Sequence, residues 1–319
     1  MHSLLLGQHF CCQNPVSNYT IGMIHIGAKK KCYLLKKGIM QGDPLSPFLS
    51  DIYYGSMVEN EMGEFITSSS ASTQELFLRG ADDFIFVSTD KVRVLSLFNF
   101  IKDGVKNYNC KFKLSKTNTN AIGNLENNML LFCGALINVS SREICPNYSS
   151  YKNTKLLWSQ SWERRTRPGD FIHKRFIAFC SSRLNKLYFG PYNSKKTLLT
   201  TICCNVLLAL RRLTCLITTL IWSKGRMVDN RWFWRITMGG LRKLCNSTQN
   251  YGLSVLNVQY ICLKCVELEL KRSDQYSKIL RKYSAKKVVK FCLSSRKQEY
   301  LNRIIREACS IIEVQSIKI

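Results

Sequence analysis

Apolar residues along this chain follow two rhythms. Up to about residue 150 they come in short runs with strand-like alternation, cut by Gly, Ser and Lys. Residues 1–20 read as irregular, and Ile21–Ile26 and Cys32–Leu35 read as two strands around the turn Lys29-Lys30-Lys31. After the Gly-rich segment 37–47, Phe48, Leu49, Ile52 and Met57 sit at helical spacing, with prolines at the helix start, where they are tolerated. A polar Ser/Thr tract at 67–73 leads into two apolar runs, Leu76-Phe77-Leu78 and Phe84-Ile85-Phe86-Val87, that predict a tight β-hairpin with Gly80 supplying the turn. Val94, Phe98, Ile101, Val105 and Tyr108 predict an amphipathic helix. A strand at Cys110–Leu114 and a second hairpin at Leu130–Val139 follow. Beyond about residue 153 the spacing is helical, broken at Pro168 and Pro191.

That order predicts an α+β fold, an antiparallel sheet with helices, followed by an all-α unit. No internal repeat and no extended low-complexity segment interrupts it.

Composition changes the picture through charge. Of the 319 residues, 45% are hydrophobic and 11% aromatic, which excludes a disordered chain. The net charge of +26 is unevenly placed. Residues 1–150 carry 14 Lys and Arg against 12 Asp and Glu, a net +2; residues 151–319 carry 33 against 9, a net +24. No carboxylate occurs from 171 to 228. A folded, lopsidedly basic half suits a polyanion, with a solvated basic surface or an anionic membrane surface as the rival readings.

Fifteen cysteines without a secretory signal read as reduced, mostly buried small hydrophobes of an intracellular protein. Cys262 and Cys265 form a lone CxxC in a helical run, which favours core packing over metal. The apolar stretch from Ile202 to Trp222 holds Arg211 and Arg212 in its middle. It predicts a buried helix with one basic edge and no membrane span.

The candidate chemistry starts from Asp82 and Asp83 at the tip of the first hairpin. Two carboxylates so placed can hold Mg²⁺ ions for in-line nucleotidyl transfer, as in polymerases of right-hand architecture. Alone, an Asp-Asp turn is also ordinary surface structure; its company gives it weight. Gln41-Gly42-Asp43-Pro44 opens a helix about 40 residues upstream, where glycine permits close backbone approach to a sugar, base or phosphate. Lys116, about 33 residues downstream, could serve as general acid to a leaving group or simply be a solvated lysine. Cys133-Gly134 could press on a nucleic-acid backbone or be a plain hairpin turn. The chemistry normally needs one more carboxylate from an earlier strand. The first acidic residue of this chain is Asp43, so that strand is expected to be absent.

In order, Gln41-Gly42 with Leu45-Ser46, Ala81-Asp82-Asp83-Phe84, Leu114-Ser115-Lys116-Thr117 and Phe132-Cys133-Gly134 resemble reverse transcriptase motifs B, C, D and E. The triplet Phe132-Cys133-Gly134, the run Tyr148-Ser149-Ser150-Tyr151 and the basic helical tail, including Leu187-Tyr188-Phe189 and Asn193 through Arg212, resemble the telomerase reverse transcriptase family over roughly residues 20 to 260. Two details depart from that pattern: Gly80-Ala81 precedes the aspartate pair, and Phe132 stands where the family has tryptophan.

The resemblance implies a partial right-hand palm at 1–125 with motifs B, C and D, a primer-grip hairpin at 126–152 with motif E, and a basic helical thumb at 153–319. It implies that Asp82 and Asp83 help hold catalytic Mg²⁺, and that Lys116 is the leaving-group acid. Gln41 and Gly42 would line the nucleotide and template, with Phe132, Cys133 and Gly134 as primer grip. The implied partners are a telomerase RNA template, a single-stranded telomeric DNA primer, their RNA–DNA hybrid and dNTPs, at chromosome ends in the nucleus. The intact enzyme would be an RNA-directed DNA polymerase; this chain, without motif A, is expected to bind nucleic acid and not to polymerise. A non-LTR or Penelope-like retroelement reverse transcriptase fragment and a non-catalytic nucleic-acid-binding remnant are the alternatives.

Overall fold

The structure is a computed structural model. It describes residues 4–12, 23–26, 31–34, 39, 44–67, 74–123, 125, 128–151, 156, 167–221, 228–272 and 293–312. The chain divides into two compact units, Met1–Arg142 and Glu143–Ile319.

The first unit is α+β. Its strands are β1 (Leu4–Cys12), β2 (Met23–Ile26), β3 (Lys31–Leu34), β4 (Glu75–Gly80), β5 (Asp83–Ser88), β6 (Cys110–Phe112), β7 (Asn118–Thr119), β8 (Met129–Phe132) and β9 (Ala135–Asn138). Its helices are α1 (Ser46–Glu61), the short α2 (Gly63–Thr67) and α3 (Lys91–Asp103). The main sheet runs β4-β5-β1-β6, with β7 also on β1, and each pairing is antiparallel. β2 pairs with β3, and β8 with β9, as hairpins.

β1 corrects the sequence reading. Residues 4–12 form a strand inside the main sheet, where an irregular stretch was expected. The cause lies in the composition. Leu4-Leu5-Leu6-Gly7-Gln8-His9-Phe10-Cys11-Cys12 carries no formal charge apart from any on His9, so it suits a strand with neighbours on both sides better than an alternating edge strand.

β5 is buried almost throughout, and two residues on one of its faces anchor the core. Phe84 and Phe86 are both fully buried and join Phe112 from β6. Against them pack Met57 and Val58 of α1, Phe65 of α2, and Val94, Leu97, Phe98 and Ile101 of α3. Each such side chain contributes about 1.5–3 kcal/mol by leaving water. Asp90 caps α3, its side chain accepting from the Val92 N–H at 2.8 Å, and Gly104 at φ +71° stops the helix. Val105 and Tyr108 therefore fall beyond α3, although their spacing predicted them inside it. In α1 the predicted face divides: Met57 is in the core, while Phe48, Leu49 and Ile52 are exposed. Helical spacing establishes a common face and leaves open what that face packs against.

The second unit holds β10 (Ile144–Pro146), α4 (Pro168–Ser181), α5 (Lys195–Leu220), α6 (Asn230–Gln249), α7 (Val255–Lys271) and α8 (Ser295–Ile311). Among the described residues α5 is the one helix long and apolar enough to cross a membrane. Residues 201–210 of α5 are buried within this unit, packed by α4, α7 and α8. Two of its polar side chains find partners there: Asn205 Nδ2 donates to the Cys180 carbonyl at 2.7 Å, and Arg211 pairs with Glu269 at 3.4 Å. Cys262 and Cys265 are buried in α7, and the Cys265 and Cys203 sulfurs lie 3.5 Å apart.

Candidate active site

Residues 81 and 82 form a two-residue turn, because Gly80 pairs with Asp83 across the hairpin. Ala81 adopts φ +53°, a left-handed conformation uncommon for a residue with a Cβ. The turn thus rests on Ala81 rather than on Gly80, as the sequence had suggested. Gly80 meets a different need. A Cβ there would lie 2.5 Å from the Cys133 Sγ, so glycine lets the second hairpin close onto the first.

That approach brings the two hairpins to one site. Cys133 and Gly134 form the β8–β9 turn with φ of +46° and +76°, the double left-handed pattern of tight hairpin loops. The turn aims the Cys133 N–H at the Asp83 carboxylate, which accepts it at 3.3 Å. Asp83 is buried at 6% exposure, whereas Asp82 is exposed at the turn. Burial and then the charges of Asp83 and Asp82 raise the pKa of the Cys133 thiol, so it stays protonated near neutral pH. Phe132 lies partly buried just before this turn.

Not every candidate joins them. Lys116 ends a short 3₁₀ turn, Leu114–Lys116, is exposed, and makes no hydrogen bond or ion pair with Asp82 or Asp83. Gln41 and Gly42 lie outside the described residues.

The sequence reading missed β1 as a neighbour of the aspartate hairpin. It pairs with β5 so that His9 stands directly across from Asp83. A strand does flank the aspartate hairpin, and it carries no carboxylate. The signal that could have revealed it is the nine-residue uncharged run itself.

The donor set can now be weighed against a pair of divalent ions. It offers one exposed carboxylate, one buried carboxylate already accepting a backbone N–H, and a protonated thiol. Hard cations take several oxygen ligands each, and a two-ion clamp needs more carboxylate than this. The described residues therefore do not fit a complete two-metal centre.

No family model matches the chain. Over 170 residues it is 28% identical to the telomerase reverse transcriptase of Saccharomyces cerevisiae, covering 53% of this chain and 18% of that protein. This chain is similar to telomerase reverse transcriptases. The counterpart from Bos taurus is 28% identical over 193 residues, 56% of this chain and 16% of its own length. That from Oryza sativa is 27% identical over 180 residues, 50% and 14%. The match thus spans less than a fifth of each of these telomerase proteins. A solved telomerase structure from Candida albicans, in complex with a fragment of telomeric RNA, superposes with a TM-score of 0.53. At 18% identity, it covers 84% of this chain and 38% of its own. The telomerase-type fold is shared, and the α+β reading holds.

Proposed function

We propose that this chain is the palm and thumb portion of a telomerase-type reverse transcriptase, a protein that extends DNA at chromosome ends in the nucleus by copying an RNA template. The observation that carries this reading is the meeting of the two hairpins. Asp82-Asp83 and Phe132-Cys133-Gly134, some 50 residues apart, are joined by the Cys133 N–H on the Asp83 carboxylate. Those are the two motifs on which the resemblance chiefly rests.

Within the reading, Asp82 and Asp83 contribute to a divalent-metal site, as Mg²⁺ ligands. The further carboxylate would come from a motif A strand supplied by another polypeptide. Bound metal would supply charge stabilisation to nucleotidyl transfer. Phe132, Cys133 and Gly134 grip the primer, Gln41 and Gly42 line the nucleotide and template, and Lys116 donates the leaving-group proton. The basic helical unit holds the RNA–DNA hybrid mainly through phosphates, so its affinity falls steeply with salt. The chain alone does not polymerise. The carboxylate-free β1 also favours a second reading, a nucleic-acid-binding remnant without a catalytic role.

Complementation separates the two. The chain is co-expressed with a polypeptide carrying the fingers and a motif A strand with its aspartate, and primer extension is measured. Restored synthesis that Asp82→Ala abolishes is the expected result. No synthesis, with both parts folded and associated, would establish the remnant.

A further inference from the structure

A strand laid alongside Asp83 must hydrogen-bond to an edge of β5, and a β-strand has only two edges to offer. Both edges of β5 are filled along its whole length. On one side β4 pairs with it from Glu75↔Ser88 to Gly80↔Asp83. On the other, β1 pairs with it from Leu4↔Ser88 to His9↔Asp83. The turn Ala81-Asp82 ties β4 to β5, so β4 stays in place whenever the aspartate hairpin is formed. The edge held by β1 is therefore the one at which a further strand can enter. Position 9 is the register position opposite Asp83.

β1 is held there from both sides. Its far edge pairs with β6 from Phe10↔Phe112 to Cys12↔Cys110, and with β7 at Leu6↔Thr119 and Gly7↔Asn118. Residues 4–12 contain no Lys, Asp, Glu or Pro, the residues that keep a strand at a sheet edge or interrupt its ladder. The slot itself favours such an occupant. Asp83 is buried, and a second carboxylate set directly across from it adds like-charge repulsion that a carboxylate-free strand avoids.

We infer that β1 is an occluding strand. It fills the β5 edge that a carboxylate-bearing strand needs, so the reaction centre is completed only when residues 4–12 are displaced. The partner that fits the vacated edge is an extended segment, added to β5 by main-chain hydrogen bonds. The inference rests on the proposed function for the incoming strand and on the strand register for the occupied edge.

The test uses the whole chain with Leu5→Cys and Val87→Cys, positions paired across β1 and β5. Diamide locks β1 through a disulfide, the two thiols giving two electrons and two protons to the reagent, and dithiothreitol releases it. The wild-type chain, treated alike, controls for its own cysteines. Two quantities are read with the polypeptide that carries the fingers and the motif A strand: its capture by the chain, and primer extension by the pair. Locking withdraws the competent state, so it should lower both by about tenfold or more, and reductant should restore both. Equal capture by locked and released chains would overturn the inference. So would a folded variant in which peptide mass spectrometry finds no link between positions 5 and 87. Co-expressed chain lacking residues 1–12 is the second arm, and should raise capture about tenfold. Unchanged or weaker capture by that soluble chain overturns occlusion; should it not fold, the lock alone decides. No capture by either the released or the shortened chain overturns it too. If capture answers to the lock and no pair synthesises, β1 occludes the edge and the proposed function fails instead.

Discussion

The two units of this molecule differ in where their chemistry is written. Residues 1–142 carry 14 Lys and Arg against 11 Asp and Glu, a net +3, and the proposed chemistry there sits in a few positions: a turn at Ala81-Asp82, a buried Asp83, a Cys133 N–H aimed at it. Residues 143–319 carry 33 against 10, a net +23, in the unit whose core is the largely buried α5. Nucleotidyl transfer depends on oxygen atoms at fixed separations, so removing one carboxylate removes the reaction. Holding a polyanion depends on a field summed over many cations, so removing one leaves most of the grip. On the proposed function, a chain can therefore keep its binding surface while carrying only part of a reaction centre.

The sharpest way to break that contrast is Asp82→Ala in the complemented enzyme. Primer extension should fall by about a thousandfold or more, roughly 4 kcal/mol of barrier, while hybrid affinity stays within about twofold. A parallel loss of binding would show that the units are not separable. Next is Phe84→Ala, which empties a fully buried site in the sheet core. Unit 1 should lose about 3–5 kcal/mol in urea unfolding, with the transition of the helical unit unmoved. A single shared transition would contradict independent units.

Gly80→Ala is expected to be milder, about 1–3 kcal/mol from overpacking against the Cys133 sulfur. Cys133→Ala in the same protein should recover most of that loss. The smallest effect concerns the Cys133 thiol, held protonated by burial and by Asp83 and Asp82. Alkylation at Cys133, followed by site-resolved mass spectrometry, should need a higher pH than an ordinary thiol. Removing a negative charge lowers the thiol pKa, so Asp83→Asn should speed the reaction severalfold near pH 8, and Asp82→Asn somewhat less. Equal rates in all three proteins would place the thiol away from the carboxylates.

Much of this was legible in the chain. The alternating runs around Asp82-Asp83 and around Cys133-Gly134 predicted both hairpins, and helical spacing after residue 153 predicted the all-α unit. What stayed hidden was non-local. β1 lies some 70 residues before its partner β5, and no local pattern states which strand a short apolar run will join. Gly80 looked like a turn former because glycine usually is one; its steric role appears only when Cys133, 53 positions later, arrives beside it.

On the proposed function the basic helices hold nucleic acid, and β1, the described strand beside Asp83, carries no carboxylate for synthesis. One experiment addresses both halves: the purified chain, an RNA template annealed to a labelled DNA primer, dNTPs and Mg²⁺, with binding and extension read from the same tube. Salt-sensitive binding without a single added nucleotide is the predicted result. Mg²⁺-dependent extension by the chain alone, abolished by Asp82→Ala, would contradict it.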